Sequence, residues 1–161
     1  MKIGFIVHSQ SGNTLSVAQK LMNQLIAQGH VVMLTHIKDE NVNGSMQHPE
    51  RYITVVDEVE SNVDILFIGG WVQAFGLCRG LNYVIQHHFN IQAKQTHLFL
   101  THHFPFEWMG GTSAMKQLSK LVLTKGLVVK TTKIFNWSRK NNQKNIELWV
   151  DSVIAQLRAL D

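Results

Sequence analysis

The segment Ser9-Gln10-Ser11-Gly12-Asn13-Thr14 puts three hydroxyls, two side-chain amides and a glycine into six consecutive residues. It follows an apolar run, Ile3–Val7, and His8, and it leads directly into the helical spacing of Leu15, Ala18, Met22, Leu25 and Ile26. A strand that turns into a helix through such a loop presents orphan backbone N–H groups, the positive end of the helix dipole and hydroxyl donors to one point. The chemistry this suits is the binding of a phosphate-like anion. Gly12 can take a positive φ and let the loop close around the anion. One of Ser11, Asn13 or Thr14 would suffice to cap the helix. Four of the six positions are Ser, Asn or Thr, more than a cap requires.

Two later loops carry flat rings and glycines. Gly69-Gly70-Trp71-Val72-Gln73-Ala74-Phe75-Gly76 follows the apolar run Ile65–Ile68, and Thr101-His102-His103-Phe104-Pro105-Phe106-Glu107-Trp108-Met109-Gly110-Gly111-Thr112 follows Leu98–Leu100. Trp71 offers a face for stacking and the glycines permit close backbone approach. The alternative is that Trp71 and Phe75 cover the core beneath their loop, a reading that suits Phe75 better than Trp71. The aromatics of the second loop suit one wall of a pocket, a lid or a contact between copies. Nine histidines raise the question of a metal. Neighbours on a helix point about 100° apart, so His87-His88 makes a poor chelate. His102-His103 has no nearby carboxylate or thiolate to complete a set, so no metal is expected. Cys78, the single cysteine, reads as a small apolar filler or a helix-entry residue, with a redox role as the lesser alternative.

The elements that must position these loops alternate along the chain. Apolar runs recur at Ile3–Val7, Val31–Leu34, Ile65–Ile68, Leu98–Leu100 and Leu127–Val129, and they read as strands covered on both faces. Helical spacing fills the intervals: Leu15 to Ile26 closed by Gly29, then Leu81, Val84, Ile85 and Phe89, then Met115, Leu118 and Val122 before Gly126, and finally Ile146 to Leu157. The stretch Val42–Val63, with Pro49, Ile53, Val56 and Val59, reads as one shorter helix. Strand, crossover helix and two loops need about thirty residues, which this spacing supplies five times over. The expectation is an α/β fold, one domain over residues 1–161, with a five-stranded parallel doubly wound sheet in a three-layer sandwich. Ligands in such sheets sit beyond the carboxyl ends of the strands, where strand order reverses. The loops after Val7, Ile68 and Leu100 are therefore the candidates.

Composition narrows the class. With 161 residues, 45% hydrophobic and 16% charged, the chain can bury one sizeable core. No apolar stretch reaches the ~20 residues of a membrane span, and no cleavable leader is evident, so no membrane insertion and a cytoplasmic location are expected. The net charge of +4 is uneven: residues 1–80 hold five Lys/Arg against seven Asp/Glu, and residues 81–161 hold ten against four. No nucleic-acid-binding signature accompanies the basic half, so no nucleic acid is expected, and Lys116, Lys120 and Lys125 read as a solvated face. Other phosphate loops are excluded by absent residues. There is no Gly-Lys-Ser/Thr and no Gly-x-Gly-x-x-Gly. The strand ends Val7-His8 and Ile68-Gly69 lack the carboxylates of a phosphorelay receiver.

Ser9-Gln10-Ser11-Gly12-Asn13-Thr14 resembles the phosphate loop of the flavodoxin family, Ser/Thr-x-Ser/Thr-Gly-Asn-Thr, at every fixed position. The resemblance covers essentially the whole chain. It implies an FMN-binding redox protein that transfers electrons through the flavin. The phosphate would be held by the hydroxyls of Ser9, Ser11 and Thr14 and by backbone N–H groups through Asn13, with Gln10 and Gly12 completing the loop. The ring would lie between Gly70, Trp71, Val72 and Phe75 on one side and Thr101, His102, His103 and Phe104 on the other. Partners would be a redox protein, or NAD(P)H and a small acceptor. The third loop departs from the electron carriers, which usually place an acidic residue where Thr101-His102-His103 stands, and Gly110-Gly111 looks more like the NAD(P)H:quinone oxidoreductase branch. A flavin-free interaction module with the same fold is a further alternative. Arg79, His102 and His103 beside these loops predict a positive field at the flavin edge.

Overall fold

A computed structural model describes residues 1–39, 53–56 and 59–159. The chain order is β1 (Lys2–His8), α1 (Asn13–Ala27), β2 (Val31–Asp39), β3 (Ile53–Val56), β4 (Asn62–Gln73), β5 (Gly76–Leu77), α2 (Arg79–His87), β6 (Gln92–His102), α3 (Gly111–Thr124), β7 (Val129–Asn136) and α4 (Asn142–Arg158). The sheet order is β3-β2-β1-β4-β6-β7, with β5 paired to β4. Five strands, β2, β1, β4, β6 and β7, run parallel as expected. Two short antiparallel strands are added: β3 on the β2 edge and β5 beyond the end of β4. The chain moves from β1 out to β2 and then returns to β4 on the other side of β1, so the reversal point lies between the carboxyl ends of β1 and β4.

Alternate residues of the strands build two cores. Ile3, Phe5, Val7, Ile65, Phe67, Phe99 and Phe135 meet α1 and α4, whereas Ile6, Leu66, Ile68, Leu98 and Leu100 meet α2 and α3. α1 presents Val17, Ala18, Leu21 and Leu25 at i, i+4 spacing, and its chain reversal at Gly29 uses a φ of 83°. Phe5 stacks on Phe67 at 4.7 Å, and Trp149 of α4 closes edge-on against Phe67 and Phe135.

Several expected boundaries move. Ile53–Val56 is a strand, not part of a helix, and pairs antiparallel with Lys38 and its neighbours. Of the rest of the stretch Val42–Val63, residues 42–52 and 57–58 lie outside the described residues, and Asn62 and Val63 open β4. Four helices are therefore described where the sequence suggested five. The last parallel strand begins at Val129, and the buried Leu127 precedes it. Gly69-Gly70 does not lie in a loop, because β4 runs through it to Gln73. A Cβ on Gly69 would lie 2.1 Å from the Phe99 ring, and one on Gly70 would lie 2.7 Å from Leu81. These glycines make room for neighbours on both faces of a central strand.

Candidate functional site

The loop between β1 and α1 stands at the reversal point and has the form an anion site requires. Gly12 has φ 90° and precedes the first helical residue. A Cβ on Gly12 would meet nothing within 4 Å, so the space over the loop is open. Gln10 and Ser11 are exposed. The amides of Asn13 and Thr14, in the first helical turn, have no intrahelical acceptor. The next amide, of Leu15, donates to Ser9 Oγ at 3.2 Å.

Two of the three hydroxyls expected at the phosphate are committed to other partners. Ser9 is buried and accepts the Leu15 bond. Thr14 is 1% exposed, and its Oγ1 lies 2.8 Å from Thr101 Oγ1 and 3.4 Å from the Gly70 carbonyl oxygen. Thr14 therefore ties α1 to β4 and β6, and Ser11 is the hydroxyl left facing solvent. Asn13 reaches across as well, with Nδ2 3.1 Å from His103 Nε2. The first and third loops are thus joined at two levels, Thr14–Thr101 in the interior and Asn13–His103 at the surface.

Trp71 and Val72 lie within β4, and Thr101 and His102 within β6, where the sequence had suggested loops. Trp71 pairs with Thr101 in the sheet and lies past the β1 end, its ring 6.0 Å from His8. Its indole Nε1 is buried and has no hydrogen-bond acceptor among the described residues. A buried donor without an acceptor costs about 1–3 kcal/mol, so this atom is one a ligand oxygen would satisfy. Gly70 and Val72 are buried beside it.

The β4–β5 hairpin turns on Ala74 and Phe75, both left-handed at φ 46° and 63°. Two-residue hairpins favour two left-handed residues because their twist matches that of the strands, and Gly or Asn usually occupies them. Here alanine and phenylalanine do so at about 1 kcal/mol each. The strain places Phe75, 56% exposed, in a 4.9 Å stack with Phe104. Ala74→Gly is expected to stabilise the chain by about 0.5–1 kcal/mol in urea denaturation, and an unchanged midpoint would contradict this account. Phe106 and Trp108 form a second stacked pair at 6.0 Å on the same loop.

Charge at the site differs from the sequence expectation. Burial lowers the pKa of His102 against an opposing pull from Glu107, and both ring nitrogens are buried without partners among the described residues. His102 is therefore neutral near pH 7 and supplies no fixed positive field. His103 is exposed and engaged with Asn13. The Arg79 backbone N–H donates to Gln73 Oε1. Burial, with Lys38 and His8 nearby, also lowers the pKa of His36, whereas a backbone bond to Ser9 opposes the shift. No cluster of metal-ligating side chains occurs among the described residues, and His87 and His88 both pack on Tyr83. No helix among them is long and apolar enough to cross a membrane.

A parallel doubly wound sheet with an open helix N-terminus at its reversal point defines the class. Within that class the chain has the flavodoxin fold. It is similar to a flavoprotein from Lactobacillus acidophilus solved in complex with FMN, with a TM-score of 0.62, 15% identity and coverage of 83% of this chain and 92% of that one. A flavodoxin from Streptococcus pneumonia matches 97% of this chain and 99% of its own at a TM-score of 0.62 and 10% identity. The same share of the chain, 97%, also matches 35% of a flavo di-iron protein variant from Thermotoga maritima, at a TM-score of 0.60 and 14% identity. No protein-family model and no curated relative matches the sequence.

Proposed function

We propose that the chain binds FMN at the carboxyl edge of β1, β4 and β6 and serves as a redox protein. The observation that carries this reading is the open, left-handed turn at Gly12 leading into α1, with exposed donors around it. The residues present fit the group. The helix start and Ser11 suit the phosphate, and the buried Trp71 Nε1 suits an oxygen of the ligand. Trp71 and the Phe75–Phe104 pair supply flat apolar surface. Flavodoxins and an FMN-bound flavoprotein of the same fold support it.

FMN supplies one- and two-electron redox chemistry when bound. The chain binds and orients it. α1 directs N–H groups at the phosphate, Thr14 locks that loop to Gly70 and Thr101, and Asn13–His103 holds the third loop over the first. His102 is neutral at rest and adds no fixed charge beside the site. The proposed partners are a redox protein, or NAD(P)H with a small acceptor. Steady-state NAD(P)H consumption with a quinone by the loaded protein separates these two.

FMN is expected to bind at least about tenfold more tightly than riboflavin, because each charge-assisted bond to the phosphate contributes about 1.5–3 kcal/mol. Ser11→Ala is expected to narrow that gap, whereas Ser9→Ala acts mainly on stability by uncapping Leu15. Equal affinities in a fluorescence titration overturn the phosphate assignment. Flavin emission is expected to be quenched by the indole at the site. Trp71→Ala restores much of it and weakens binding by about 1 kcal/mol. Unchanged quenching and affinity in this variant would remove Trp71 from the site.

A further inference from the structure

The side of the molecule formed by α3 and β7 carries a feature that the flavin site does not use. From Gly111 to Asn136 the chain contains Lys116, Lys120, Lys125, Lys130 and Lys133 and no Asp or Glu. Among the described residues none of these lysines forms an ion pair with a carboxylate. Between α3 and β7 lies an open groove of about 770 Å³ whose apolar lining includes Met115, Leu123 and Ile134. Lys116 and Lys120, one helical turn apart, stand along it, with Glu107 as its acidic residue. Leu123 is 58% exposed there.

The groove borders a sheet edge. β7 pairs with β6 alone among the described strands, so the other side of its backbone faces outward. An edge strand offers a row of N–H and C=O groups to an added strand, and lysines are the usual defence against a second copy of the same edge. Here that defence is selective. Lys116, Lys120, Lys130 and Lys133 against the one carboxylate of Glu107 repel an identical basic face and attract an acidic one, whereas Lys125 is turned to the Gln86 carbonyl oxygen.

We propose that the α3–β7 edge is a docking site for an acidic, extended segment of a partner protein, added as a strand beside β7. In a strand, alternate side chains point to opposite faces. Apolar side chains of the segment on the α3 side enter the groove over Met115, Leu123 and Ile134. Other side chains on that same side are carboxylates that meet Lys116 and Lys120 at the rim of the groove, and carboxylates fill the opposite face beside Lys133. Backbone pairing gives affinity, and the charge and the groove give selectivity. The groove shares no lining residue with the proposed flavin site, and the peptide is expected to bind with or without FMN.

The test uses a fluorescein-labelled peptide of about ten residues built from Glu and Val, with Glu throughout one face and Val alternating with Glu on the other, long enough to span a strand of ordinary length. Its controls replace every Val with Ser, or every Glu with Lys. The Glu/Val peptide is expected to bind, to weaken as salt rises, and to protect β7 amides from hydrogen exchange. K116E/K120E is expected to weaken it about tenfold or more, because two exposed charge contacts become repulsive. FMN affinity measured in the same variant reports on the flavin reading separately. Several results overturn the proposal: no binding up to about 1 mM, unchanged β7 exchange, equal binding of either control peptide, or unaltered binding by K116E/K120E. Self-association of the free protein that protects β7 also overturns it, by assigning the edge to a second copy.

Discussion

Between pH about 6.5 and about 4 the folded chain is expected to lose about 3 kcal/mol of stability, and His97 is the cause. This residue of β6 is 2% exposed. It stacks on Phe67 at 4.9 Å, and its Nδ1 lies 2.7 Å from Thr131 Oγ1. Nε2 is buried without a partner among the described residues. Burial, helped by the positive charge of Lys130, lowers its pKa from 6.5 to about 4. In that window the unfolded chain binds a proton and the folded chain does not, so each fall in pH favours unfolding. Stability from this group is complete above 6.5 and exhausted below about 4. One pKa unit corresponds to about 1.4 kcal/mol, which sets the size. His36 and His102 are shifted in the same direction and add to the slope. Urea denaturation across this range measures it. H97F keeps the aromatic stack on Phe67 and is expected to flatten most of the pH dependence. Thr131 is half-buried and can turn its hydroxyl to water. An equally steep profile in H97F would reassign the effect to the other histidines or to the carboxylates.

The acid response shows what a sequence hides. His97 and His102 both lie on β6, where Leu98–Leu100 marks the apolar centre but says nothing of how far pairing continues. The strand spans Gln92–His102 because β4 and β7 on either side are long enough to pair with it, a property of three segments together. Gly69-Gly70 misled for a related reason. Locally it suggests a loop, and only the Phe99 ring against Gly69 shows that the glycines keep a central strand passable. Ile53, Val56 and Val59 have helical spacing, yet Ile53-Thr54-Val55-Val56 is wholly β-branched, which was the available signal for β3. By contrast, the first loop was legible because its chemistry is local: six adjacent residues determine the turn at Gly12 and the start of α1. The roles of Thr14 and Ser9 were not, since Thr14 is bonded to a residue 87 positions away.

Gly110→Ala is expected to cost about 3 kcal/mol and to detach the third loop from the β4–β5 hairpin. Gly110 precedes α3 with φ 100°, a conformation costly by about 1–2 kcal/mol for any residue with a Cβ. Gly12→Ala, at φ 90° with nothing within 4 Å of the added carbon, measures that backbone cost alone. At Gly110 the new Cβ would also lie 2.6 Å from the Phe75 Cα and 3.0 Å from Val72 Cγ1. Overpacking of this kind adds about 1–3 kcal/mol. The backbone at Phe75 is already in the left-handed region, so the hairpin cannot give way without losing the turn that holds Phe75 against Phe104. The prediction is therefore a difference: Gly110→Ala falls further than Gly12→Ala in urea denaturation, and its aromatic ring signals for Phe75 and Phe104 lose their stacking shifts. Phe75→Ala introduced into Gly110→Ala removes the ring but leaves the Cα, and no recovery is expected. Recovery would mean that the ring rather than the backbone is crowded. Equal losses at Gly12 and Gly110 would mean that the third loop and the hairpin do not press on one another, and that the two halves of the aromatic wall are positioned independently.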